Sequence, residues 1–176
     1  MSDGSASLGP LERVNDRWGV GDCRRPDGAW LEFRADGLYQ HPGHAKKTEE
    51  RLTPWSRIML IDFTLGAKYP PMGSYGALTL LGGLPGLWKG RGRGYLHLTL
   101  RHPYENWPAT FDRHPHWYNP THLSLFQELM RQTAAEGRAH RFADTEWLSR
   151  AVGSLAGYRP RSARGMREKV AETRLL

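Results

Sequence analysis

The residues most suggestive of binding chemistry form a glycine-rich basic run, Leu84-Pro85-Gly86-Leu87-Trp88-Lys89-Gly90-Arg91-Gly92-Arg93-Gly94. Lysine and arginine donate hydrogen bonds to phosphate oxygens, and glycine leaves the backbone exposed. Trp88 adds an aromatic surface that suits the interface of an anionic membrane or a nucleic-acid base. We therefore predict a ligand-binding site at Trp88, Lys89, Arg91 and Arg93. The alternative is a solvated loop between two strands, with Trp88 folded back onto the sheet.

A second basic segment lies near the end of the sequence. Its cations, opposed only by Glu168 and Glu172, are Arg159, Arg161, Arg164, Arg167, Lys169 and Arg174. If this segment is helical, Arg164, Arg167 and Arg174 share a face that suits an acidic partner. A solvated tail is the favoured interpretation of this segment.

Three histidines lie close together in sequence at His114, His116 and His122, with Asp112 before them and His102 further upstream. Alternate residues of an extended chain project the same way, so one alternative is a mononuclear metal site in a small metal-dependent enzyme. No His-Glu-x-x-His motif accompanies these histidines. We instead expect surface or capping histidines packed among Trp107, Trp117 and Tyr118, and we predict no metal and no cofactor.

Cys23 is the single cysteine and the one candidate thiol nucleophile. Its neighbours Arg24 and Arg25 would lower the pKa of the thiol if they point toward it. The sequence pairs no histidine or asparagine with this cysteine. It also lacks the Gly-x-Ser-x-Gly and phosphate-cradling Gly-x-x-x-x-Gly-Lys-Ser/Thr motifs. We therefore predict no catalytic residues, and an enzyme is the least favoured of three function classes.

Composition limits the class of protein. A chain of 176 residues with 39% hydrophobic residues can bury one core, and a single cysteine excludes an internal disulfide. The net charge of +7 favours anionic partners such as nucleic acid, an anionic membrane surface or an acidic protein. The first ten residues lack the pattern of a secretory leader, and no long uncharged apolar stretch follows. We expect a cytoplasmic protein without a transmembrane segment.

These candidate residues must be positioned by a strand-rich region followed by helices. Residues 1–10 are predicted to be a tail and residues 11–18 a short helix or an irregular lead-in. Alternating or continuous apolar residues predict strands at residues 29–34, 38–40, 48–52, 55–65, 75–81 and 95–101. In the strand predicted at residues 55–65, apolar side chains occur at both even-numbered and odd-numbered positions, which predicts that both faces of the strand are covered. Residues 102–120 are predicted to be a connection that plugs the end of a sheet.

Three helices are predicted after this region. Asn119 and Pro120 begin the first helix and Gly137 ends it. Asp144 caps a second helix over residues 145–155, and a third is predicted over residues 162–176. Strands followed by helices indicate an α+β arrangement, with the first helix covering an open end or face of an antiparallel sheet.

Two phrases of the sequence, Leu31-Glu32-Phe33-Arg34-Ala35-Asp36-Gly37-Leu38 and Pro54-Trp55-Ser56-Arg57-Ile58, resemble those of bacterial pleckstrin-homology-like (PH-like) domains. The resemblance spans about residues 29–137. It implies a bent antiparallel sheet or a partly open barrel, capped by a helix, in a binding or interaction scaffold without enzymatic activity. The segments 66–73 and 102–119 and the helices after Gly137 have no counterpart in that family unit.

We therefore expect an N-terminal lead-in at residues 1–28, a PH-like domain at 29–137 and a helical extension at 138–176. The predicted function is a non-catalytic binding or protein-interaction module. Three observations would separate the classes: an exposed aromatic patch around Trp107 and Trp117 for a protein partner, salt-sensitive polyanion retention for the basic run, and a deep pocket of titratable groups for an enzyme.

Overall fold

The structure is a computed structural model that describes residues 6–44, 48–66 and 92–176. In this part of the chain, two antiparallel sheets are followed by three α-helices, which confirms the predicted α+β class. The strand predicted at residues 75–81 lies outside the described residues. None of the described helices has the length and apolar character needed to cross a bilayer.

The first sheet has six strands that follow one another in chain order. They are β1 (Ser7–Leu8), β2 (Leu11–Val14), β3 (Arg17–Val20), β4 (Trp30–Phe33), β5 (Gly37–His41) and β6 (Arg51–Pro54). The predicted hairpin is confirmed, because β4 and β5 pair with Phe33 opposite Leu38. Residues of even and odd number alternate between the core and the outer face, as the pleat of a strand requires.

The second sheet has three strands, β7 (Ile58–Leu65), β8 (Arg93–Leu100) and β9 (Glu105–Asp112). A 3-10 turn at Trp55–Arg57 connects β6 to β7. The alternation predicted for β8 is confirmed, since Leu96, Leu98 and Leu100 are buried. The expectation that both faces of β7 are covered fails near its start, where a bulge leaves Met59 and Leu60 exposed.

The N-terminal segment corrects the sequence prediction, because Ser7–Leu8 of the predicted tail form β1 and Leu8 is fully buried. Residues 11–18 are neither helical nor irregular, because they form β2, the turn after it and the start of β3. Asn15 and Asp16 adopt φ values of 50° and 63°, which lets them join the two strands as a two-residue hairpin turn. Leu11 and Trp18 are buried in the core as a result.

The connection predicted at residues 102–120 also contains a strand. β9 pairs with β8 along its whole length, from Arg93 opposite Asp112 to Leu100 opposite Glu105. Pro108 made this strand hard to predict from the sequence, because proline is rare inside strands. The proline is tolerated here because β9 lies at the edge of its sheet. Gly94 of β8 is also required here, because a Cβ at this position would lie 2.2 Å from the ring of Phe111.

The three predicted helices are present, and the first two begin at their predicted caps. They are α1 (Pro120–Ala135), α2 (Thr145–Ala156) and α3 (Ala163–Thr173). Asn119 accepts a hydrogen bond from the Thr121 amide at the start of α1, and Asp144 accepts one from the Trp147 amide at the start of α2. Gly137 follows α1 with φ of +71°, the left-handed conformation that ends many helices.

One hydrophobic core joins the two sheets to all three helices. Phe63 of β7 packs on Phe111 of β9 and Phe126 of α1, with ring centroids 6.2 and 5.1 Å apart. At the other end of the core, Phe142 packs against Phe33 and Trp55. The segment after residue 137 therefore contributes aromatic side chains to the same core as the sheets.

The sheets meet at one corner without pairing strand to strand. The buried Gln40 of β5 donates to the Thr110 carbonyl at 2.8 Å and accepts from the Thr110 amide at 3.1 Å. Nearby, the Asp112 amide donates to the Ala29 carbonyl at 2.7 Å. These contacts fix the end of β9 against the entry to β4, and the candidate site lies at this junction.

Candidate functional site

A small cavity of about 180 Å³ lies where the two sheets meet. Three parts of the chain surround it: the β3–β4 connection, the residues after β5, and the adjacent ends of β8 and β9. Its lining residues are Arg25, Asp27, Ala29, Gly43, His44, Thr48, Arg93, Thr110 and Asp112. We call this the sheet-junction cavity. Most of its side chains are charged or polar, so it is suited to a polar or ionic group.

Arg93 is the described member of the predicted basic site, and it lines this cavity. It is the first residue of β8, and its carbonyl accepts a hydrogen bond from the Gly66 amide. Its side chain is exposed and makes no ion pair or hydrogen bond within the described part of the chain. Trp88, Lys89 and Arg91 lie outside the described residues, so those three remain predictions.

Two of the other charges in the cavity neutralise one another. Arg25 donates to both carboxylate oxygens of Asp27, at 2.7 and 3.2 Å. This ion pair holds the pKa of the Asp27 carboxyl below its usual value through the hydrogen bonds from Arg25. The pair forms one wall of the cavity and leaves little net charge there.

Asp112 lies directly opposite Arg93 in the β8–β9 register. One of its carboxylate oxygens accepts a hydrogen bond from the Ala29 amide at 2.8 Å, which orients the side chain. Its second oxygen accepts no hydrogen bond from any described residue. In the sequence Asp112 is a neighbour of three histidines, whereas in the structure it is the cross-strand partner of Arg93.

His44, Thr48 and Thr110 complete the polar lining. The backbone amide of His44 donates to the Asp27 carbonyl at 3.1 Å, which connects the segment after β5 to the Arg25–Asp27 wall. Both threonine hydroxyls can donate and accept hydrogen bonds. The cavity therefore presents neutral donors and acceptors in addition to its charged groups.

A second group of titratable residues surrounds the buried Glu12 of β2. Glu12 is 7% exposed, and its carboxylate lies 2.8 Å from Nε2 of His114 and 2.7 Å from the guanidinium of Arg24. The Tyr118 hydroxyl lies 2.7 Å from Nδ1 of His114 and accepts the His114 amide at 2.9 Å. Cys23 is adjacent, with its sulfur 3.7 Å from Glu12. We call these five residues the Glu12 cluster.

The pKa values of the Glu12 cluster are shifted in opposite directions. Burial raises the pKa of Glu12, but hydrogen bonds from His114 and Arg24 outweigh burial and lower it to about 2. Burial first, and then the charge of Glu12, raise the pKa of the Cys23 thiol to about 11. The hypothesis that Arg24 and Arg25 activate this thiol is therefore wrong, because Arg24 binds Glu12 and Arg25 binds Asp27.

The Glu12 cluster is suited to holding the fold together. His114 and Tyr118 are each 3% exposed, so a substrate has no access to their polar atoms. Their hydrogen bonds connect β2, the segment after β3 and the segment that precedes α1. Sequence reasoning missed this cluster because Glu12 and His114 are 102 positions apart.

The alternative of a metal site built from the three histidines is not found in the described part of the chain, although the rings of His114 and His116 lie 5.0 Å apart. His114 is bound to Glu12 and Tyr118, while Nε2 of His122 contacts the Ala156 carbonyl at 2.9 Å. Within residues 6–44, 48–66 and 92–176, no group of three or more His, Cys, Asp or Glu side chains is arranged to hold a metal ion. The expected packing is found in part, since the His114 ring is 5.7 Å from the ring of Tyr118.

The C-terminal basic segment forms the helix α3 and is not a solvated tail, and Arg174 does not share an exposed cationic face with Arg164 and Arg167. Arg174 is 8% exposed and donates to Glu136 at 2.8 Å, so it faces inward. Arg164 is exposed and forms an ion pair with Glu168 at 2.7 Å. Arg161 is exposed and makes no contact with described residues, which makes it a useful control position.

The aromatic residues named as a protein-docking patch have different environments. Trp117 is 58% exposed, whereas Trp107 is partly buried against the core with the Arg51 guanidinium 4.3 Å above its ring. The two tryptophans therefore do not present equivalent exposed surfaces. The chain matches no protein-family model, no curated protein and no solved structure.

Proposed function

We propose that this chain is a non-catalytic binding module that holds a charged ligand in the sheet-junction cavity through Arg93. The observation that carries the proposal is the exposed Arg93 guanidinium, which lines a polar cavity and has no partner among the described residues. In the Glu12 cluster, Glu12, His114 and Tyr118 are buried and hydrogen-bonded to one another, which supports a structural role for these three residues.

A PH-like arrangement is part of this proposal. Two antiparallel sheets with α1 packed on β7 and Phe126 against Phe63 support it. Three features depart from the family unit: strands β1 to β3, helix α2 and helix α3. The PH-like assignment predicts the architecture of a binding scaffold and leaves the ligand to be inferred from the cavity.

A thermal-shift measurement tests the proposal. A ligand that binds the folded state raises the unfolding temperature by mass action. We expect at least one of three probes, inorganic phosphate, acetate or glycine, to raise the unfolding temperature of the wild-type protein. The shift should be lost in Arg93→Gln and kept in Arg161→Gln, which removes the same charge from another exposed position. Equal shifts in both variants would refute the proposed site.

Polyanion binding is a second candidate function. The net charge of +7 and the position of Arg93 at the end of the basic run favour it. It predicts retention on immobilised heparin that falls with salt. Replacing Lys89, Arg91 and Arg93 together by alanine should reduce that retention, and the matched triple replacement of Arg159, Arg161 and Arg164 should not. The reverse result would move the polyanion surface to the C-terminal segment.

A further inference from the structure

Two charged side chains of the sheet-junction cavity form no ion pair with any described residue, and they have opposite signs. Arg25 and Asp27 neutralise each other, which leaves the Arg93 guanidinium and the Asp112 carboxylate. These two residues are direct cross-strand partners, so their Cβ atoms are about 5 Å apart on the same face of the sheet. They nevertheless form no ion pair with each other.

From this arrangement we infer that the sheet-junction cavity binds a small zwitterion of the α-amino-acid class. The ligand carboxylate accepts hydrogen bonds from Arg93, and its ammonium group donates to the second oxygen of Asp112. The inference rests on the proposed function and names the class of ligand for the same site.

Charge argues against the simpler ligands. A multiply charged anion that reaches Arg93 also meets the carboxylate of Asp112 on the opposite strand, and like charges at this range repel. A simple cation that binds Asp112 is repelled by Arg93 for the same reason. A ligand that carries an ammonium and a carboxylate on the same carbon atom is attracted by both side chains, and it also leaves neither charge unpaired.

Size and lining agree with this class. The cavity volume of about 180 Å³ is below the range of roughly 300–1,000 Å³ that is typical of pockets for larger ligands. A nucleotide is therefore too large to be enclosed, whereas a small amino acid fits. The hydroxyls of Thr48 and Thr110 and the imidazole of His44 favour a small polar side chain on the ligand.

The site is also preorganised on the Asp112 side. The Ala29 amide holds one carboxylate oxygen at 2.8 Å, and the Asp112 backbone is bonded to Ala29 and Asp22. Gln40 fixes the adjacent Thr110 from the opposite sheet. A rigid acceptor of this kind loses little side-chain entropy when the ligand binds.

Isothermal titration calorimetry with matched probes tests the inference. The common protein amino acids are titrated singly, and any that bind are compared with their N-acetyl derivatives, which keep only the negative charge, and their methyl esters, which keep only the positive charge. We expect at least one amino acid to bind, and we expect both of its derivatives to bind about tenfold or more weakly than the parent amino acid. An N-acetyl derivative that binds as tightly as its parent would overturn the inference.

Two variants separate the inference from the proposed function. Asp112→Asn keeps an oxygen for the Ala29 amide and removes the charge. It should therefore weaken the binding of the amino acid about tenfold and strengthen the binding of inorganic phosphate. Arg93→Gln should weaken both ligands, and Arg161→Gln neither. If the wild-type protein binds phosphate more tightly than every amino acid, and this binding depends on Arg93, the zwitterion inference is wrong but the proposed function stands. The absence of any Arg93-dependent binding overturns both.

Discussion

The Glu12 carboxylate is buried and ionised, and this combination makes stability depend on pH. Its pKa in the folded protein is about 2, against 4.5 in a model peptide. Because the folded pKa is the lower one, the stabilisation is fully present above pH 4.5 and is lost as the pH falls toward 2. The hydrogen bonds from His114 and Arg24 are responsible for this difference.

Glu12→Gln should lower the free energy of unfolding near neutral pH by about 2 kcal/mol, since it removes a charge-assisted acceptor from a buried site. Urea unfolding across pH should show the difference between variant and wild type shrinking as the pH approaches 2. The control is Glu146→Gln, whose carboxylate is 91% exposed and 3.9 Å from Arg150. A constant difference at all pH values would contradict the role given to the ionised carboxylate.

Cys23 should be an unreactive thiol. Burial, followed by the charge of Glu12, raises its pKa to about 11, so very little thiolate exists near neutral pH. The rate of alkylation by iodoacetamide should therefore keep rising with pH beyond the value for an ordinary cysteine. Glu12→Gln should shift the midpoint of this profile downward. A midpoint at or below about 8.5, the ordinary thiol value, would show that Arg24 activates Cys23 after all.

At the scale of elements, Gln40 holds the two sheets in register at their junction. Its side chain bonds the amide and carbonyl of Thr110 and also donates to the His41 carbonyl at 3.0 Å. Gln40→Leu keeps the size of the side chain but leaves buried backbone groups unsatisfied. It should cost about 2 kcal/mol of unfolding free energy, measured by chemical denaturation.

The matched control for Gln40→Leu is Gln127→Leu on α1, since the side chain of Gln127 makes no hydrogen bond with described residues. Its unfolding free energy should change little. Gln40→Leu should also weaken ligand binding at the sheet-junction cavity, because Thr110 lines it. If both variants are equally stable, the junction does not depend on Gln40.

The elements also show what the sequence could and could not predict. β8 and α1 were predictable because their signals are local: strict alternation in one, and Asn119 with Pro120 in the other. β9 was missed because Pro108 and flanking aromatics resemble a loop, and β2 because a short stretch can match either period. The sheet-junction cavity depends on pairing between β8 and β9 and on the contact between the two sheets, which no local pattern records.

At the scale of the whole molecule, the helices after residue 137 share the core of the sheets. Phe142 contacts Phe33 and Trp55, and Trp147, which is fully buried, contacts Phe142. A chain ending at Gly137 should therefore lose cooperative thermal unfolding and bind a hydrophobic dye, because it exposes the core face of β4 and α1. The prediction fails if this shortened chain unfolds cooperatively at the temperature of the full chain.

Ligand binding to the basic surface of the molecule and ligand binding in the sheet-junction cavity should depend differently on salt concentration. A net charge of +7 attracts anions to the surface in general, and salt screens that attraction. Zwitterion binding between Arg93 and Asp112 should depend only weakly on salt, because it neutralises one charge of each sign. A steep decrease of amino-acid affinity with salt would indicate that the ligand binds as an anion on the basic surface.

The most direct test is a titration of ¹⁵N-labelled protein by two-dimensional NMR with the amino acid that binds best in calorimetry. The predicted result is a set of shifted amide signals from Ala29, Gly43, Thr48 and Thr110, around Arg93 and Asp112, that disappears in Arg93→Gln. Shifts confined to other regions, such as α3 or the outer face of β4 and β5, would show that the sheet-junction cavity is not the binding site.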